Sequence, residues 1–282
     1  MIETSDSIVV AAPAKVNLFL HVAGRRGDGY HLIESLFALI DWCDTITLSK
    51  RDDGDIVRVR DVAGVSEDDD LALRASRALR DATGCRDGVA IGIRKRIPLG
   101  AGLGGGSSDA ASVLLALNRL WSLALPRREL AAIGAMLGAD VPFFIGGEAT
   151  FARGIGDMLT PVSMPTYWLA LAVPPIRVST RDVFAALQLT PVATSEKMNV
   201  FSEGYGRNDL EATATAQFAV IGDAVRTLRQ ASPHARMSGS GGCAFAMFST
   251  EHEAREALRR LPQHIEGRVV RTLSRHPLRD FA

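Results

Sequence analysis

The sequence has little cysteine, no long apolar run and no excess of charge, and each shortage excludes a class of protein. Its three cysteines, Cys43, Cys85 and Cys243, are odd in number and far apart. We therefore expect neither a disulfide framework nor a thiolate metal site, and a reducing cytoplasm fits this usage best. No apolar run reaches the roughly 18 residues of a membrane span, and we expect no signal peptide at the N-terminus.

The balance of charge excludes a further group of functions. The chain contains 32 lysines and arginines against 32 aspartates and glutamates, so its formal net charge is zero. A protein that binds a nucleic-acid backbone or an anionic membrane needs a basic surface, and the overall charge indicates none. With 282 residues, 47% of them hydrophobic, the sequence predicts a globular protein of one or two domains.

Glycine, by contrast, is concentrated in one stretch. Five of the seven residues from Gly100 to Gly106 are glycine, and the apolar pattern of a helix follows. Glycine allows the backbone to turn tightly and approach a ligand closely, and Ser107 or Ser108 can cap the helix. Because free N–H groups and the helix dipole both attract anions, the stretch predicts a phosphate-binding loop.

Three well-known phosphate loops do not match this stretch. A Walker A loop requires a lysine after its last glycine, and a dinucleotide-binding loop requires a strand after the helix, where this sequence predicts a second helix. A protein kinase requires His-Arg-Asp and Asp-Phe-Gly triplets downstream, which are missing. A slack surface loop is the remaining alternative, disfavoured because the stretch lies between a strand pattern and a helix pattern.

Two ionisable residues in apolar surroundings are candidates for chemistry. Residues 8–22 predict two strand segments on either side of Pro13, and Lys15 and Asn17 share one face of the second segment. Such a lysine either protects a sheet edge or directs a cation at a phosphate or a reacting hydroxyl. Asp140 follows a predicted helix and is either a turn residue or a buried carboxylate whose partner could be Lys15.

Other candidates flank these residues. Tyr30 and His31 end a turn-rich loop, where they either close the loop or contact a flat ligand. Lys95, in a strand predicted over 89–97, either adds positive charge beside the glycine loop or lies on a solvated strand face. The rest of the chain predicts a turn of a hairpin at 52–55, helices at 67–79, 129–137, 179–187, 208–228 and 251–261, and strands at 149–152, 168–173 and 268–273. It also predicts a loop over 190–207 and, over 237–248, a second glycine loop that leads into a strand.

Three segments together resemble the GHMP kinases, the superfamily of galactokinase, homoserine kinase and mevalonate kinase. They are Pro13-Ala-Lys-Val-Asn-Leu18, the loop from Pro98 to Ala111, and Ser238-Gly-Ser-Gly-Gly242. Asp28-Gly-Tyr-His31 and Leu137-Gly-Ala-Asp-Val-Pro142 are similar to one branch, which acts on a cytidyl-linked alcohol. The resemblance runs nearly end to end. It implies a two-domain α+β fold with an N-terminal ribosomal-protein-like ATP-binding domain (1–158), a C-terminal ferredoxin-like domain (159–282) and the active site between them.

The same resemblance implies a role for individual residues. Lys15 and Asp140 match the catalytic pair. The ATP-binding positions are Lys95, Pro98, Gly100, Gly102, Leu103, Gly104, Gly105, Gly106, Ser107 and Ser108. The substrate-binding positions are Asn17, Tyr30, His31, Phe184, Gly239 and Gly241, with Tyr30 and Phe184 on opposite faces of cytosine. Mg²⁺ accompanies ATP, and Ser108 is the protein oxygen expected nearest to it. Asp70 departs from the family pattern, which often has asparagine there to contact adenine; an ionised carboxylate lacks the amide's donor.

The activity implied is ATP-dependent phosphorylation of the 2-hydroxyl of a cytidine-diphosphate-linked methylerythritol, in the non-mevalonate route to isoprenoid precursors. The expected protein is a cytoplasmic monomer or homodimer that binds small molecules, and neither nucleic acid nor membrane. A kinase for another small alcohol is the first alternative, disfavoured by the stacking pair Tyr30 and His31. A non-catalytic RNA-binding module is the second, disfavoured by the neutral charge.

Overall fold

Two long antiparallel strands, β2 (Ser7–Arg25) and β3 (His31–Arg51), form the centre of the first sheet. The computed structural model describes residues 2–187 and 204–282. The sheet has the order β1-β2-β3-β5-β4, with β6 paired to β3 and β7 paired to β6. Its shorter strands are β1 (Ile2–Glu3), β4 (Ile56–Arg58), β5 (Gly88–Arg94), β6 (Thr150–Arg153) and β7 (Met158–Pro161).

Strand β2 is continuous, whereas the sequence predicted a break at Pro13. The pairing of β2 with β3 shifts register between Pro13 and Ala14, and again between Asn17 and Phe19. Proline has no N–H group to donate to a sheet, and a bulge is one of the few places where a strand tolerates it. The strand therefore continues past Pro13 and carries Lys15 and Asn17 into the interior.

The turn at residues 52–55 does not produce the predicted hairpin. Gly54 turns the chain with a φ of +76°, but β4 then pairs in parallel with β5 instead of returning to β3. Strand β5 lies between β3 and β4 in the sheet. Turn chemistry identifies where a chain reverses, but it does not identify the neighbour with which the next strand pairs.

Four helices share one apolar core with part of the first sheet. They are α1 (Leu71–Thr83), α2 (Gly105–Leu120), α3 (Arg127–Ala135) and α4 (Val141–Gly146). Helix α2 is buried along most of its length and forms the centre of this core with Ile8, Val10 and Ala12 of β2. Asp70 caps α1 by accepting a 2.9 Å hydrogen bond from Ala72 N, so the helix begins at Leu71, four residues after the predicted start at Glu67.

The second sheet packs against a different part of the first. Its strands are β8 (Trp168–Val173), β9 (Arg236–Met237), β10 (Ala244–Phe248) and β11 (Glu266–Arg271), antiparallel in the order β11-β8-β10-β9. Leu169, Leu171 and Phe245 of this sheet share one apolar core with Val16 and Leu18 of β2. Strand β2 thus contributes to both of these cores, and its Leu20 and Val22 belong to a third core in the second half of the molecule.

The helices of the second half are α5 (Thr180–Ala186), α6 (Glu211–Gln217), α7 (Ala219–Arg229) and α8 (Glu251–Leu258). The single helix predicted over 208–228 is wrong, because Phe218 adopts an extended conformation (φ −130°) and separates α6 from α7. Most of the loop predicted over 190–207 lies outside the described residues. The mixed α+β class is confirmed, and the division at 158/159 stays a prediction. No helix in the described part of the chain is long and apolar enough to cross a membrane.

Candidate active site

A cleft of about 950 Å³ opens where the glycine loop, β2, the start of α4 and the start of α5 meet. Fifteen of the residues predicted for the site line it: Lys15, Asn17, Tyr30, His31, Pro98, Gly100, Gly102, Leu103, Gly104, Gly105, Gly106, Ser107, Asp140, Phe184 and Gly239. These residues come from distant parts of the chain, and the fold brings them to one cavity large enough for more than one small ligand.

In the glycine loop, here residues 100–104, the carbonyl groups accept hydrogen bonds from the protein, whereas the amide groups are free. The carbonyl oxygens of residues 100 to 104 accept hydrogen bonds of 2.9–3.3 Å from, in order, Val178 N, Cys243 N, Ser238 Oγ, Lys15 N and Ser108 N. Within residues 2–187 and 204–282, no backbone N–H of this loop donates to a protein acceptor. A row of unpaired N–H groups in a fixed backbone is an anion-binding site.

Positive φ angles at alternate residues produce this arrangement. Gly100, Gly102 and Gly104 have φ of +69°, +74° and +69°, a conformation that side chains disfavour. Ala101 and Leu103 lie between them, and both side chains are buried in the core shared by the two sheets. Helix α2 begins directly afterwards with Gly104 as its N-cap residue, so the prediction that a serine caps it is wrong.

The second glycine stretch contacts the first closely through its backbone, in addition to the hydrogen bond from the Ser238 hydroxyl. A Cβ atom at Gly102 would lie 2.5 Å from Ser238 O and 2.8 Å from Gly241 O, closer than any real side chain could approach. Gly239, with a φ of +58°, lies on the same side, near the Asn17 side chain. The two loops therefore lie in direct contact at the floor of the cleft, and Gly241 supports this contact without lining the cavity.

Lys15 and Asp140 are brought together. The Lys15 ammonium lies 3.5 Å from Asp140 Oδ2, and the side chains are 6% and 31% exposed respectively. Lys15 Nζ also lies 4.9 Å from the centre of the Phe37 ring. Both groups line the cavity, so a cation and a carboxylate lie side by side where a ligand can bind.

A chain of hydrogen bonds fixes the position of the Lys15 side chain. Lys15 Nζ donates to Asn17 Oδ1 (2.5 Å), Asn17 Nδ2 donates to Ser35 Oγ (2.9 Å), and Ser35 Oγ donates to Phe19 O (2.5 Å). Asn17 N in turn donates to Ser238 Oγ at 3.1 Å. Asn17 therefore orients the lysine from the same strand face, and its amide is occupied by protein partners.

Asp140 is placed by a short helix that the sequence analysis missed. It is the N-cap residue of α4 but makes no side-chain capping bond, so its carboxylate can turn toward the cleft. Phe144 of the same helix lies under the glycine loop, where its ring is 3.0 Å from the position of a Cβ at Gly104. Phe143 packs edge-on against Phe37 with ring centres 5.3 Å apart. Helix α4 therefore positions both Asp140 and the Phe144 ring that packs beneath the glycine loop.

Three aromatic or imidazole rings also line the cleft. Tyr30 is 59% exposed, and His31 and Phe184 face each other with ring centres 5.1 Å apart and planes tilted by 30°. Burial lowers the pKa of His31, and the charge of Arg25 lowers it further. A neutral imidazole beside exposed aromatic surface is able both to stack and to form hydrogen bonds with a flat, polar ring.

Lys95 does not line the cleft in this structure. Its ammonium forms ion pairs with Asp44, by a very short contact, and with Asp109 at 2.6 Å. Asp44 also accepts from the backbone N–H groups of Arg96 and Ile97. Burial raises the pKa of Asp109 to about 7, although Lys95 opposes this shift, and Asp109 Oδ1 has no hydrogen-bond partner. The cluster joins β3, the start of the glycine loop and α2.

Ser108 is not placed to bind a metal. Its hydroxyl is fully buried and donates a 2.6 Å hydrogen bond to Pro13 O, so it links α2 to β2 and does not face the cavity. Among the described residues, no group of three or more His, Cys, Asp or Glu side chains could hold a metal ion.

Several residues at the site were missed by the sequence analysis. Thr180, Arg181 and Ser240 line the cleft, and the hydroxyls of Thr180 and Ser240 lie 2.7 Å apart. Asp70 stays outside the cavity lining: one oxygen caps α1 and the other lies 3.1 Å from Arg58 Nη1. The short polar side chains at the start of α5 gave no distinguishing signal, because Ser and Thr are common at helix starts.

The chain is similar to known proteins along nearly its whole length. Residues 70–148 match the GHMP kinases N terminal domain, and residues 186–267 match the GHMP kinases C terminal domain. The 4-diphosphocytidyl-2-C-methyl-D-erythritol kinase of Cupriavidus metallidurans is 51% identical over 276 residues, which cover 96% of this chain and 94% of that protein. The enzyme of the same name from Thiobacillus denitrificans is 52% identical over 272 residues, covering 96% and 97%.

Solved structures give the same result. A crystal structure of 4-(cytidine 5'-diphospho)-2C-methyl-D-erythritol kinase superposes with a TM-score of 0.81 at 33% identity, covering 94% of this chain and 99% of that one. Homoserine kinase from Cytophaga hutchinsonii superposes with a TM-score of 0.73 at 17% identity, covering 98% and 97%. The second likeness shows that the fold is shared.

Proposed function

Because the chain belongs to the GHMP kinase family, we propose that it transfers the γ-phosphoryl group of ATP to the 2-hydroxyl of 4-diphosphocytidyl-2-C-methyl-D-erythritol. The observation that carries the proposal is the position of the Lys15–Asp140 pair beside the free amide groups of the glycine loop. That arrangement joins an anion site to a cation and a carboxylate that can act on a hydroxyl. The reaction contributes to isoprenoid precursor synthesis.

The glycine loop and the start of α2 hold the triphosphate. The amide groups of Gly100 to Gly104 supply donors whose geometry is set before binding, because every carbonyl in that loop is already bound. Phosphoryl transfer depends mainly on alignment and on neutralisation of charge, and both are properties of such a loop. When Mg²⁺ accompanies ATP it would supply further neutralisation of charge, and Asp140, which lines the cleft, would be the carboxylate of the lysine–acid pair that helps to hold it.

Asp140 accepts the proton of the 2-hydroxyl, or its hydrogen bond, as the oxygen attacks. The carboxylate is partly exposed and lies 3.5 Å from the Lys15 ammonium, so it is held beside the cation and stays accessible to the acceptor. Lys15, oriented by Asn17, stabilises the charge that develops on the attacking oxygen. The pair thus activates the alcohol while the loop holds the donor.

Tyr30, His31 and Phe184 bind the cytosine ring. Their ring surfaces line the same cleft as the glycine loop, and Tyr30 has most of its area free for stacking. Stacking between an aromatic side chain and a base contributes roughly 1–3 kcal/mol. A small aliphatic alcohol would leave this part of the cleft unused, which favours the cytidyl acceptor over homoserine or mevalonate.

The proposal is tested by supplying [γ-³²P]ATP and Mg²⁺ with each of three acceptors: diphosphocytidyl-methylerythritol, homoserine and mevalonate. We expect label transfer to the first acceptor, and phosphorus NMR should place the new phosphate on a tertiary carbon oxygen. Tyr30→Ala should raise KM for that acceptor by about tenfold while KM for ATP stays unchanged. Faster transfer to homoserine or mevalonate would refute the substrate, and transfer to none of the three would refute the kinase activity.

A further inference from the structure

Residues 272–282, here called the strap, leave the second sheet after β11 and cross to the first. Thr272 pairs with Ile40, and Leu273 N donates to Leu39 O at 2.8 Å. Leu278 is buried in the core that the helices share with the first sheet, and Phe281 packs against that core. The strap is therefore a fixed part of the fold of the first half.

The strap reaches the carbonyl end of α4. His276 N donates to Gly147 O at 2.7 Å, and the Arg279 guanidinium donates to Gly146 O at 3.3 Å and pairs with Glu148 at 3.0 Å. The last carbonyl groups of any helix have no partner within the helix. Here the strap supplies partners for two successive carbonyl groups.

Arg127, at the start of α3, joins the strap to α4. Its guanidinium donates to Ile145 O by a very short contact and to Arg279 O at 2.5 Å. Two arginines therefore lie at the C-terminal end of α4, the end where a positive charge complements the helix dipole. Neither arginine lines the active-site cleft, so neither contacts the substrates directly.

The other end of α4 carries Asp140. Since the helix has only six residues, about 9 Å separate its two ends. Its buried side chains couple the position of the helix to the active site. Phe144 lies under Gly104, and Phe143 packs against Phe37, the ring beside Lys15. A shift at the carbonyl end would therefore displace the acid relative to the lysine and the glycine loop.

We propose that Arg127 and Arg279 are positioning residues for phosphoryl transfer: they clamp the strap across the carbonyl end of α4 and thereby hold the Asp140 carboxylate beside the Lys15 ammonium. This inference rests on the proposed function, because it assigns the two arginines to the geometry of the same catalytic pair. Since the strap continues from β11, it also ties the second sheet to the helix that carries the acid. A displacement of about 1 Å at a reacting group can cost about 10²-fold in rate.

The test compares Arg127→Ala, Arg127→Lys and Arg279→Ala with Arg128→Ala, which removes an exposed arginine from the neighbouring position of α3. Steady-state kinetics with ATP and the cytidyl acceptor should be measured well below each unfolding midpoint. We expect Arg127→Ala to lower kcat by about tenfold, with both KM values within about twofold of the wild type. Arg279→Ala and Arg127→Lys should cause smaller losses, and Arg128→Ala should match the wild type.

A double-mutant cycle separates positioning from a general loss of structure. In the Asp140→Asn background, where the carboxylate is already gone, Arg127→Lys should lower the residual turnover far less than it does in the wild type. Equal losses in the two backgrounds would overturn the inference. So would a lowered unfolding midpoint with unchanged kcat, or a raised KM with unchanged kcat.

The remaining outcomes are also decisive. If Arg127→Ala does not fold, Arg279→Ala alone decides, because that side chain is about one-third exposed and its removal leaves the core intact. A wild-type protein without kinase activity would refute the proposed function. An active wild type whose arginine variants match it would refute the role of the strap alone.

Discussion

Lys15 Nζ lies 3.5 Å from Asp140 Oδ2 and 2.5 Å from Asn17 Oδ1, so one ammonium contacts both a charged and a neutral oxygen. The asparagine fixes the lysine within its own strand, whereas the aspartate approaches from a separate helix. The position of the acid therefore depends on how α4 packs. This difference decides which substitutions disturb the chemistry and which disturb the binding of ligands.

Asp140→Asn should lower kcat by about 10²-fold or more, because the amide keeps the shape of the side chain and cannot accept a proton. KM for ATP should change little, since the glycine loop binds phosphate through its own backbone. Initial rates over a range of ATP and acceptor concentrations provide the check. A variant with near-normal kcat would show that Asp140 is not the base.

Gly102→Ala should separate the two glycine loops. The new Cβ would collide with Ser238 O and Gly241 O, and the residue would retain a φ of +74° that alanine adopts only with strain. We expect KM for ATP to rise by about tenfold or more, together with a lower unfolding midpoint. Gly92→Ala is the matched control, because nothing lies within 3.8 Å of the corresponding position in β5.

Asp109 should make the folded protein less stable as pH rises from about 4 to 7. Burial raises its pKa from 3.8 to about 7, so across this range the folded state keeps a proton that the unfolded state releases. Relative to Asp109→Asn, the wild type should lose about 2 kcal/mol or more of unfolding free energy between these pH values. Urea unfolding of both proteins at pH 4.5, 5.5 and 7 measures the difference, and parallel curves would contradict the prediction.

His276 should have the opposite effect. It is buried without a partner for Nε2, and burial lowers its pKa from 6.5 to about 3, with Arg127 adding to the shift. The folded state then keeps the imidazole neutral, so its contribution to stability is complete above pH 6.5 and declines as pH falls toward 3. Compared with His276→Asn, the wild type should be about 2 kcal/mol less stable at pH 4.5 than at pH 7.5. Each effect is measured as a difference from its own variant, because the two partly cancel in the wild type.

What the sequence predicted well was local. Lys15 and Asn17 share a strand face because strand residues two apart always do, and the glycine loop can be predicted from its composition. The family resemblance then joined Lys15 to Asp140, which spacing alone had offered as one of two possibilities. Contacts within a single element follow from period and residue type, without knowledge of the rest of the fold.

What it predicted poorly depends on long-range packing. Helix α4 is too short to show a helical period, and β4 pairs with a strand that comes later in the chain. Lys95 was expected to contact ATP, but two acids hold it, and Asp44 lies in a different strand, β3. Arg127 meets the strap only in the folded molecule. Such contacts cannot be predicted from the local sequence, because the two partners come together only in the tertiary structure.

Strand β2 belongs to three apolar cores: Ile8, Val10 and Ala12 lie in the first, Val16 and Leu18 in the second, and Leu20 and Val22 in the third. Neither half of the molecule can melt without exposing part of this strand to water, and so calorimetry should record one heat-absorption peak. Limited proteolysis near residue 158 should likewise release no fragment that stays folded by itself. A protein assembled this way gains or loses its native form as a single cooperative unit.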